Sequence, residues 1–280
     1  MIENPFLSIC IPAYNQVKYL EKCLNSISIQ SFKDFELIIT DDSTTDDVFI
    51  LIQQFQLQTG LKINYFKNNP SLGSPENWNY AISKANGTWI KIMHHDEWFC
   101  DSDALLKFVK KIEIEGASLI FSGIQGLYLK ENKKYINLPS KEFVKLINND
   151  PFKLLKGNLI GPPSCIIFPK SSLAFDKNIK WLVDIDFYIQ LLNNFNFKLV
   201  YINEILIENC MDEHNITNSY VHDMELQIEE YIYLLNKYSS EMNLKKRVIY
   251  FYFTFFFLKS FKQQNSFILL LRLLKKRFYV

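Results

Sequence analysis

Between Phe6 and Met93 the chain repeats one pattern: a short apolar run, then a segment with apolar residues at helical spacing. This alternation narrows the fold more than any other feature. The runs are Phe6–Ile11, Phe35–Ile39, the stretch around Ile63–Phe66, and the one ending at Met93. They are short and nearly continuous in apolar residues, as strands buried on both faces are. Pro12 is expected to end the first, leaving Ala13, Tyr14 and Asn15 as a loop. Between the runs, Val17, Leu20, Leu24 and Ile27 recur at helical spacing, a helix is expected from Val48 to Gln58, and Ser74-Pro75 opens another that Asn86-Gly87 stops. Strand and helix in alternation imply βαβ units with right-handed crossovers. The expected fold is α/β, a Rossmann-like, mostly parallel central sheet flanked by helices.

In such a sheet ligands bind outside the carboxyl ends of the strands. Tyr14-Asn15, Asp41-Asp42 and His94-His95-Asp96-Glu97 all fall at such ends, so three loops converge on one rim. Carboxylate oxygens suit hard divalent cations such as Mg²⁺ or Mn²⁺, and imidazole tolerates Mn²⁺. The plainer alternative for His94–Glu97 is a solvated loop whose Asp caps the following helix. Beyond a helix beginning near Asp101–Asp103 the pattern turns mixed or antiparallel, with strands expected at Ser118–Phe121, Gly126–Leu129, Tyr135–Leu138, Ser164–Phe168 and Lys198–Ile202. Leu182–Asn194 reads as a helix with Asp184 and Asp186 in its first turn, where the macrodipole favours negative charge. From about Tyr220 onward the chain is expected to be helical.

Several classes are excluded. None of the eight glycines forms GxGxxG or GxxxxGK[ST], so a phosphate-bearing ligand would need a metal ion as its main counter-charge. The five cysteines are scattered without a CxxC pair, against a disulfide framework or structural zinc. A net charge of +1 gives no argument for nucleic acid. No signal peptide is visible, and no apolar run reaches the roughly 18 residues of a membrane span, so a cytoplasmic location is expected. The segment from Lys245 to Val280 has many Lys and Arg but no Asp or Glu, and it encloses the aromatic run Val248–Leu258. That composition suits a helical hairpin lying on an anionic lipid surface at the inner face of a membrane; a helical cap on the core or a dimer surface are the alternatives.

The order of these motifs resembles the family 2 glycosyltransferases of the GT-A fold, over about residues 6–218. Ser8–Asn15 is similar to the family's first strand and Pro-x-Tyr-Asn loop, and Asp41-Asp42-Ser43-Thr44-Thr45-Asp46 to its Asp-Asp-Gly-Ser-x-Asp element. Asn68, Leu72-Gly73, Asn77-Trp78-Asn79 and Ala85-Asn86-Gly87 resemble the lead-in to the metal strand. His94–Glu97 occupies the place of Asp-x-Asp, and Val183–Asp186 that of the helix start carrying the base. Ser43 stands where the family has Gly, and His94 where the first Asp of Asp-x-Asp lies.

The resemblance implies an inverting transferase that moves a sugar from a nucleotide donor, UDP-linked, to a glycan or lipid-linked acceptor. It divides the chain into a catalytic domain, 1–218, with a nucleotide-binding half of about 1–100 and an acceptor half of about 101–218, and a helical, basic and aromatic extension, 219–280. Pro12, Ala13, Tyr14, Asn15, Asp41, Asp42, Asn77, His95 and Asp96 are the implied nucleotide contacts, and Asp96 with His214 the implied ligands of Mn²⁺ or Mg²⁺. Asp184 is the implied general base, the alternatives being a helix cap for Asp184 and the base role for Asp186. Glu97 and His94 are secondary candidates at the metal, and Trp78 and Trp98 line either the sugar pocket or the core. Oligomerisation is open. Two other readings remain: a non-catalytic nucleotide- or glycan-binding module, motivated by His94, and a sugar nucleotidyltransferase. The latter needs a Gly-rich, Arg/Lys-bearing first loop that Pro12–Asn15 lacks.

Overall fold

A computed structural model describes residues 4–116, 118–128, 133–195, 197–211, 220 and 223–242. The expected alternation is present as β1 (Leu7–Ala13), α1 (Val17–Ser28), β2 (Phe35–Asp41), α2 (Asp47–Thr59), β3 (Ile63–Lys67), α3 (Glu76–Ser83) and β4 (Trp89–Ile92). These strands run parallel in the order β3-β2-β1-β4. Side chains alternate between faces along each strand. Ile9 and Ile11 therefore pack with Leu24 of α1 and Ile52 of α2, while Cys10 faces Trp78 and Ala81 of α3.

Pro12 does not end β1: it lies within the strand, paired with Thr40. The Cys10 carbonyl accepts from Met93 of the β4 chain and the Ala13 carbonyl from Asp42. By that alternation the N–H that Pro12 lacks would point to the β4 side. Pairing with β4 has already ended at Cys10–Ile92, so no ladder bond is lost.

The second half continues the same sheet. After β5 (Glu97–Phe99) and α4 (Ala104–Glu115) come β6 (Ser118–Tyr128), β7 (Lys133–Asn137), α5 (Lys141–Asn149), β8 (Ile166–Pro169), α6 (Val183–Asn194), β9 (Lys198–Met211) and α7 (Met224–Lys237). β8 is antiparallel to β4 and β6; β6 and β9 run parallel, and β5 lies antiparallel on β9. The fold is thus the expected one: α/β, with a mixed, mostly parallel sheet flanked by helices and a helix, α7, toward the C-terminal end.

Two expected strands, Ser118–Phe121 and Gly126–Leu129, are one. Gly123 does not break β6 but bulges it, since the register against β9 shifts on either side of that residue. A Cβ there would crowd the Asn137 and Glu204 carbonyl oxygens at 3.0 and 3.1 Å, which favours glycine. α7 and the residues after it pack into the core of α6: Leu234, Leu235, Tyr238 and Met242 join Phe187, Leu191 and Leu192 in one cluster. Among the described residues no helix is long and apolar enough to cross a membrane. The 245–280 segment lies outside the described residues.

Candidate active site

The rim is built first at the ends of β1 and β2. Asp41 Oδ2 accepts hydrogen bonds from the Tyr65 hydroxyl (2.7 Å) and Lys67 Nζ (3.0 Å), and Oδ1 from the Ser43 N–H (2.8 Å). Asp42 Oδ1 accepts from Asn68 Nδ2 (2.7 Å) and the Leu72 N–H (2.9 Å), and Oδ2 from the Gly73 N–H (2.7 Å). It thereby holds the Asn68–Gly73 turn against the end of β2. Asn77 donates to the Thr40 carbonyl (3.2 Å) and accepts from Asn68 Nδ2 (2.9 Å). Both Asp42 and Asn77 are buried. Their side chains shape the rim from within, and Tyr14 beside them is exposed.

Ser43, in the glycine position of the motif, has a function in the loop. Its hydroxyl accepts the Asn15 N–H at 2.7 Å. Asn15 and Gln16 have positive φ, 55° and 29°, which asparagine tolerates better than most residues. The serine thus fastens the left-handed turn that leads from β1 into α1.

The second part of the site follows β4. Residues 94–96 turn, and the Glu97 N–H returns to the His94 carbonyl at 3.1 Å before β5 begins. β5 was not expected from the sequence: three residues beside two carboxylates carry no strand signal, and only pairing with β9, Glu97 opposite Asn209, makes them one. His94 Nδ1 lies 3.1 Å from Glu97 Oε2. Its ring packs 4.7 Å from the Trp78 ring, which in turn meets Phe175 edge-on. His94 Nε2 and Asp184 Oδ1 are buried atoms without a hydrogen-bond partner among the described residues.

Burial and charge set the titration of this cluster. Burial raises the Asp184 carboxyl to about 7; the Glu97 carboxylate pushes the same way and His94 opposes it. For His94, burial disfavours the cation, but Glu97 above all, then Asp96 and Asp184, overcome it and lift the imidazole to about 9. Burial would also raise Glu97, yet the His94 charge beside it holds it below the ordinary range. Asp96 is raised, chiefly by burial.

Beneath lies a buried lysine of β4. Lys91 is fully buried, donates to the Ser164 carbonyl and to that of Ile166 (3.2 Å), and stands 4.5 Å above the Phe108 ring. Burial lowers its pKa to about 7, and Glu97 is among the groups that resist the shift. A lysine between Ile90 and Ile92 in a fully buried strand was the available signal.

The remaining candidates separate. Asp186 is fully buried, and it accepts from Gln190 Nε2 (2.6 Å), Lys237 Nζ (2.8 Å) and the Tyr238 hydroxyl (2.7 Å). The bonds from Lys237 and Tyr238 tie α6 to the end of α7. Trp98 lies on the face of β5 opposite Glu97, its indole N–H on Glu208 (3.0 Å) and Lys22 Nζ 3.5 Å above its ring. Trp78 is core and supports His94. His95 is half-buried, next to the cluster. His214 lies outside the described residues. Among the described residues, no group of three or more His, Cys, Asp or Glu is placed to hold a metal by itself.

The profile of the glycosyl transferase family 2 matches residues 8–175. The chain belongs to this family. It is a glycosyltransferase, and the match takes in the rim and the His94–Glu97 turn but ends before Asp184. An uncharacterized protein of Mycobacterium tuberculosis is 30% identical over 205 residues, 68% of this chain and 62% of its own length. The GalNAc(5)-diNAcBac-PP-undecaprenol beta-1,3-glucosyltransferase of Campylobacter jejuni is 34% identical over 118 residues, 42% of this chain and 37% of its own. Among solved structures, Staphylococcus aureus TarS in complex with UDP-GlcNAc superposes with a TM-score of 0.64 at 17% identity, covering 88% of this chain and 70% of that one. The mannosyltransferase PcManGT of Pyrobaculum calidifontis, in complex with GDP-Man and Mn²⁺, gives 0.60 at 13% identity, covering 84% and 65%. At such identities the likeness is one of fold.

Proposed function

We propose that this family 2 enzyme is an inverting glycosyltransferase that uses a nucleotide-diphosphate sugar, UDP-linked, and that Asp184 is its general base. The observation carrying the proposal is the Asp184 carboxylate. It stands at the start of α6 beside His94 and Glu97, with one oxygen buried and unpartnered and a pKa near 7. A base works best with a pKa near the working pH. In the reaction the acceptor hydroxyl oxygen bonds to the anomeric carbon as the bond from that carbon to the diphosphate oxygen breaks. The hydroxyl proton passes to Asp184, and the electron pair leaves with the nucleoside diphosphate. Attack from the face opposite the leaving group inverts the centre.

One protein carboxylate together with substrate phosphates is a common way to bind Mg²⁺. Asp96, in the turn after β4, fits that role without a cage of side chains. A divalent cation held by Asp96 and the donor phosphates supplies Lewis-acid stabilisation of the charge on the leaving diphosphate. The complexes of TarS with UDP-GlcNAc and of PcManGT with GDP-Man and Mn²⁺ support a nucleotide-sugar donor and a metal of this class. The acceptor we propose is a glycan or a lipid-linked saccharide, supported by the Campylobacter relative named for an undecaprenol-linked one.

Asp184→Asn is expected to lower kcat by about 10²–10⁴-fold with the affinity for UDP unchanged within a few-fold, because the amide keeps the shape but accepts no proton. Retention of most of the turnover would remove Asp184 from the mechanism. UDP is expected to bind more tightly with Mn²⁺ or Mg²⁺ than with a chelator, and Asp96→Ala to erase the difference; equal affinities by calorimetry would exclude the metal. The basic 245–280 segment is proposed as a peripheral membrane contact on the cytoplasmic side, each basic residue contributing up to about 1 kcal/mol on an anionic surface. Co-sedimentation of the full chain with anionic liposomes at low salt, lost at high salt, is the expected result. Indifference to liposomes would assign the segment to packing.

A further inference from the structure

α6 begins without a cap of its own. Leu182, at its N-cap position, makes no side-chain capping bond, and the first N–H groups of any helix lack partners within it. The backbone that leads into it, as far as the N-cap, is instead bound by another helix, forty-odd residues along the chain. Glu230 of α7 is 3% exposed, and its Oε1 accepts from the Lys180 N–H at 2.7 Å while Oε2 accepts from those of Trp181 at 2.9 Å and Leu182 at 2.8 Å. Three consecutive backbone groups thus converge on one buried carboxylate.

Four residues beyond Leu182, α7 grips α6 again. Lys237 Nζ and the Tyr238 hydroxyl both donate to Asp186, and Lys237 and Tyr233 donate to Asp176 (2.9 and 2.8 Å) on the segment leading into α6. Gln227, Glu230, Leu234 and Tyr238 are all buried and recur at helical spacing, so one face of α7 makes this contact. Asp184 lies between the two grips. Its own Oδ1 is held by no hydrogen bond among the described residues, so its position is set by the backbone that carries it.

We infer that Glu230 is a positioning residue for the catalytic base: by binding the backbone of residues 180–182 it fixes the turn from which Asp184 projects, and α7 is part of the catalytic apparatus. The inference rests on Asp184 being the base. A shift of about 1 Å at a reacting group costs up to about 10²-fold in rate, so loosening this turn should register in kcat. A carboxylate is suited to the task because both oxygens accept and neither donates; an amide at this position turns its NH₂ toward N–H groups.

The test uses the full chain and three variants, Glu230→Gln, Glu230→Ala and Asp184→Asn. Turnover is read with whichever of UDP-glucose, UDP-GlcNAc and GDP-mannose releases its nucleotide fastest, and nucleotide affinity by calorimetry. Hydrogen exchange is followed in the peptide spanning 180–186. The expected result is a fall in kcat of about 10-fold for Gln and about 10²-fold for Ala, with donor KM and nucleotide affinity within two-fold. Exchange at 180–186 should rise in both variants and stay unchanged in Asp184→Asn. Where Ala fails to fold, the Gln variant carries the test. Glu230 variants with kcat within two-fold of the parent, beside an inactive Asp184→Asn, would overturn the inference and leave the carboxylate a structural cap. A raised KM at unchanged kcat would overturn it as well, since positioning of the base acts on the chemical step. Full turnover in Asp184→Asn would instead overturn the base assignment, and with it the positioning role, and that variant alone reveals it.

Discussion

The carboxylates at the end of β2 and the groups gathered after β4 are held in opposite ways. Each oxygen of Asp41 and Asp42 accepts at least one hydrogen bond, and these bonds come from backbone N–H groups and from Ser43, Tyr65, Lys67, Asn68 and the 72–73 turn. Across the rim, His94 Nε2 and Asp184 Oδ1 are buried with no such partner among the described residues. An unpaired buried polar atom costs about 1–3 kcal/mol, so proteins rarely leave two together. The contrast separates two tasks. The first region shapes a rim whose carboxylates are already paired; on the function proposed above, the second keeps donor and acceptor capacity free for reacting groups, at the expense of stability.

The largest expected effect tests that division at Asp184. Replacement by Asn should cost activity by orders of magnitude, as above, and yet stabilise the fold at alkaline pH. The sign follows from the pKa raised to about 7 in the folded chain, against an ordinary value of about 3.9 when unfolded. Stability from the protonated acid is present below the unfolded value and is lost as pH rises through about 7, where a charge must be kept in a buried place. At pH 8 the Asn variant should gain about 1 kcal/mol, a few degrees in melting temperature; at pH 4 it should gain nothing. In the parent enzyme kcat should rise through the same pH, about ten-fold per unit below it, as the base loses its proton. Calorimetric scans at the two pH values decide the stability claim. An Asn variant that melts lower at pH 8 would show that Asp184 is a structural group like Asp42.

Asp42→Ala probes the other side, and its expected cost is one of stability. The substitution leaves the Leu72 and Gly73 N–H groups and Asn68 Nδ2 without their acceptor, a loss of about 2–4 kcal/mol for a buried carboxylate with three donors. Nucleotide affinity should fall with it, because the 68–73 turn closes that part of the rim. Urea unfolding at constant slope measures the first effect and UDP calorimetry the second. Weaker UDP binding with unaltered stability would mean that Asp42 touches the nucleotide itself.

How much of this could be read in the chain follows the same division. The rim was legible because β1–β4 carry continuous apolar runs and each loop has its own polar signature, so strand and site are announced together. The side proposed as catalytic was harder. Asp184 could be put forward as the base only from its place at a helix start, and Asp186, two residues on, has the same local signature. What distinguishes them is distant in sequence: Lys237 and Tyr238 occupy Asp186 and leave Asp184 open. β5 escaped notice because its pairing with β9 is more than a hundred residues away, and β6 was read as two strands because a glycine bulge looks like a turn. Helix α5 had a fair signal that went unread, Ser140 capping the Phe143 N–H ahead of Val144 and Ile147. Lys91 was visible as a charge in an apolar strand, but its surroundings come from Ser164, Ile166 and Phe108. Local pattern decides elements; tertiary contact decides which polar groups remain available.

The smallest effect expected is at Ser43, where the chain departs from the glycine of its family's motif. If the rim is a finished framework, its individual bonds should be replaceable, and the Ser43 hydroxyl makes one bond, to the Asn15 N–H at 2.7 Å. Ser43→Gly removes it from a part-buried place and adds the chain entropy of a glycine, two losses of about 0.5–1 kcal/mol each. The Asn15 turn is also held from the far side: Gln16 begins α1 by accepting the Tyr19 and Leu20 N–H groups at 3.0 and 3.1 Å. The variant should therefore lose about 1–2 kcal/mol of stability, keep kcat within two-fold, and change the KM for donor by a few-fold at most. Steady-state kinetics beside a urea titration give all three values. A fall in kcat approaching that of Asp184→Asn would erase the distinction between the two regions, since a framework bond at β2 would then govern the chemistry after β4.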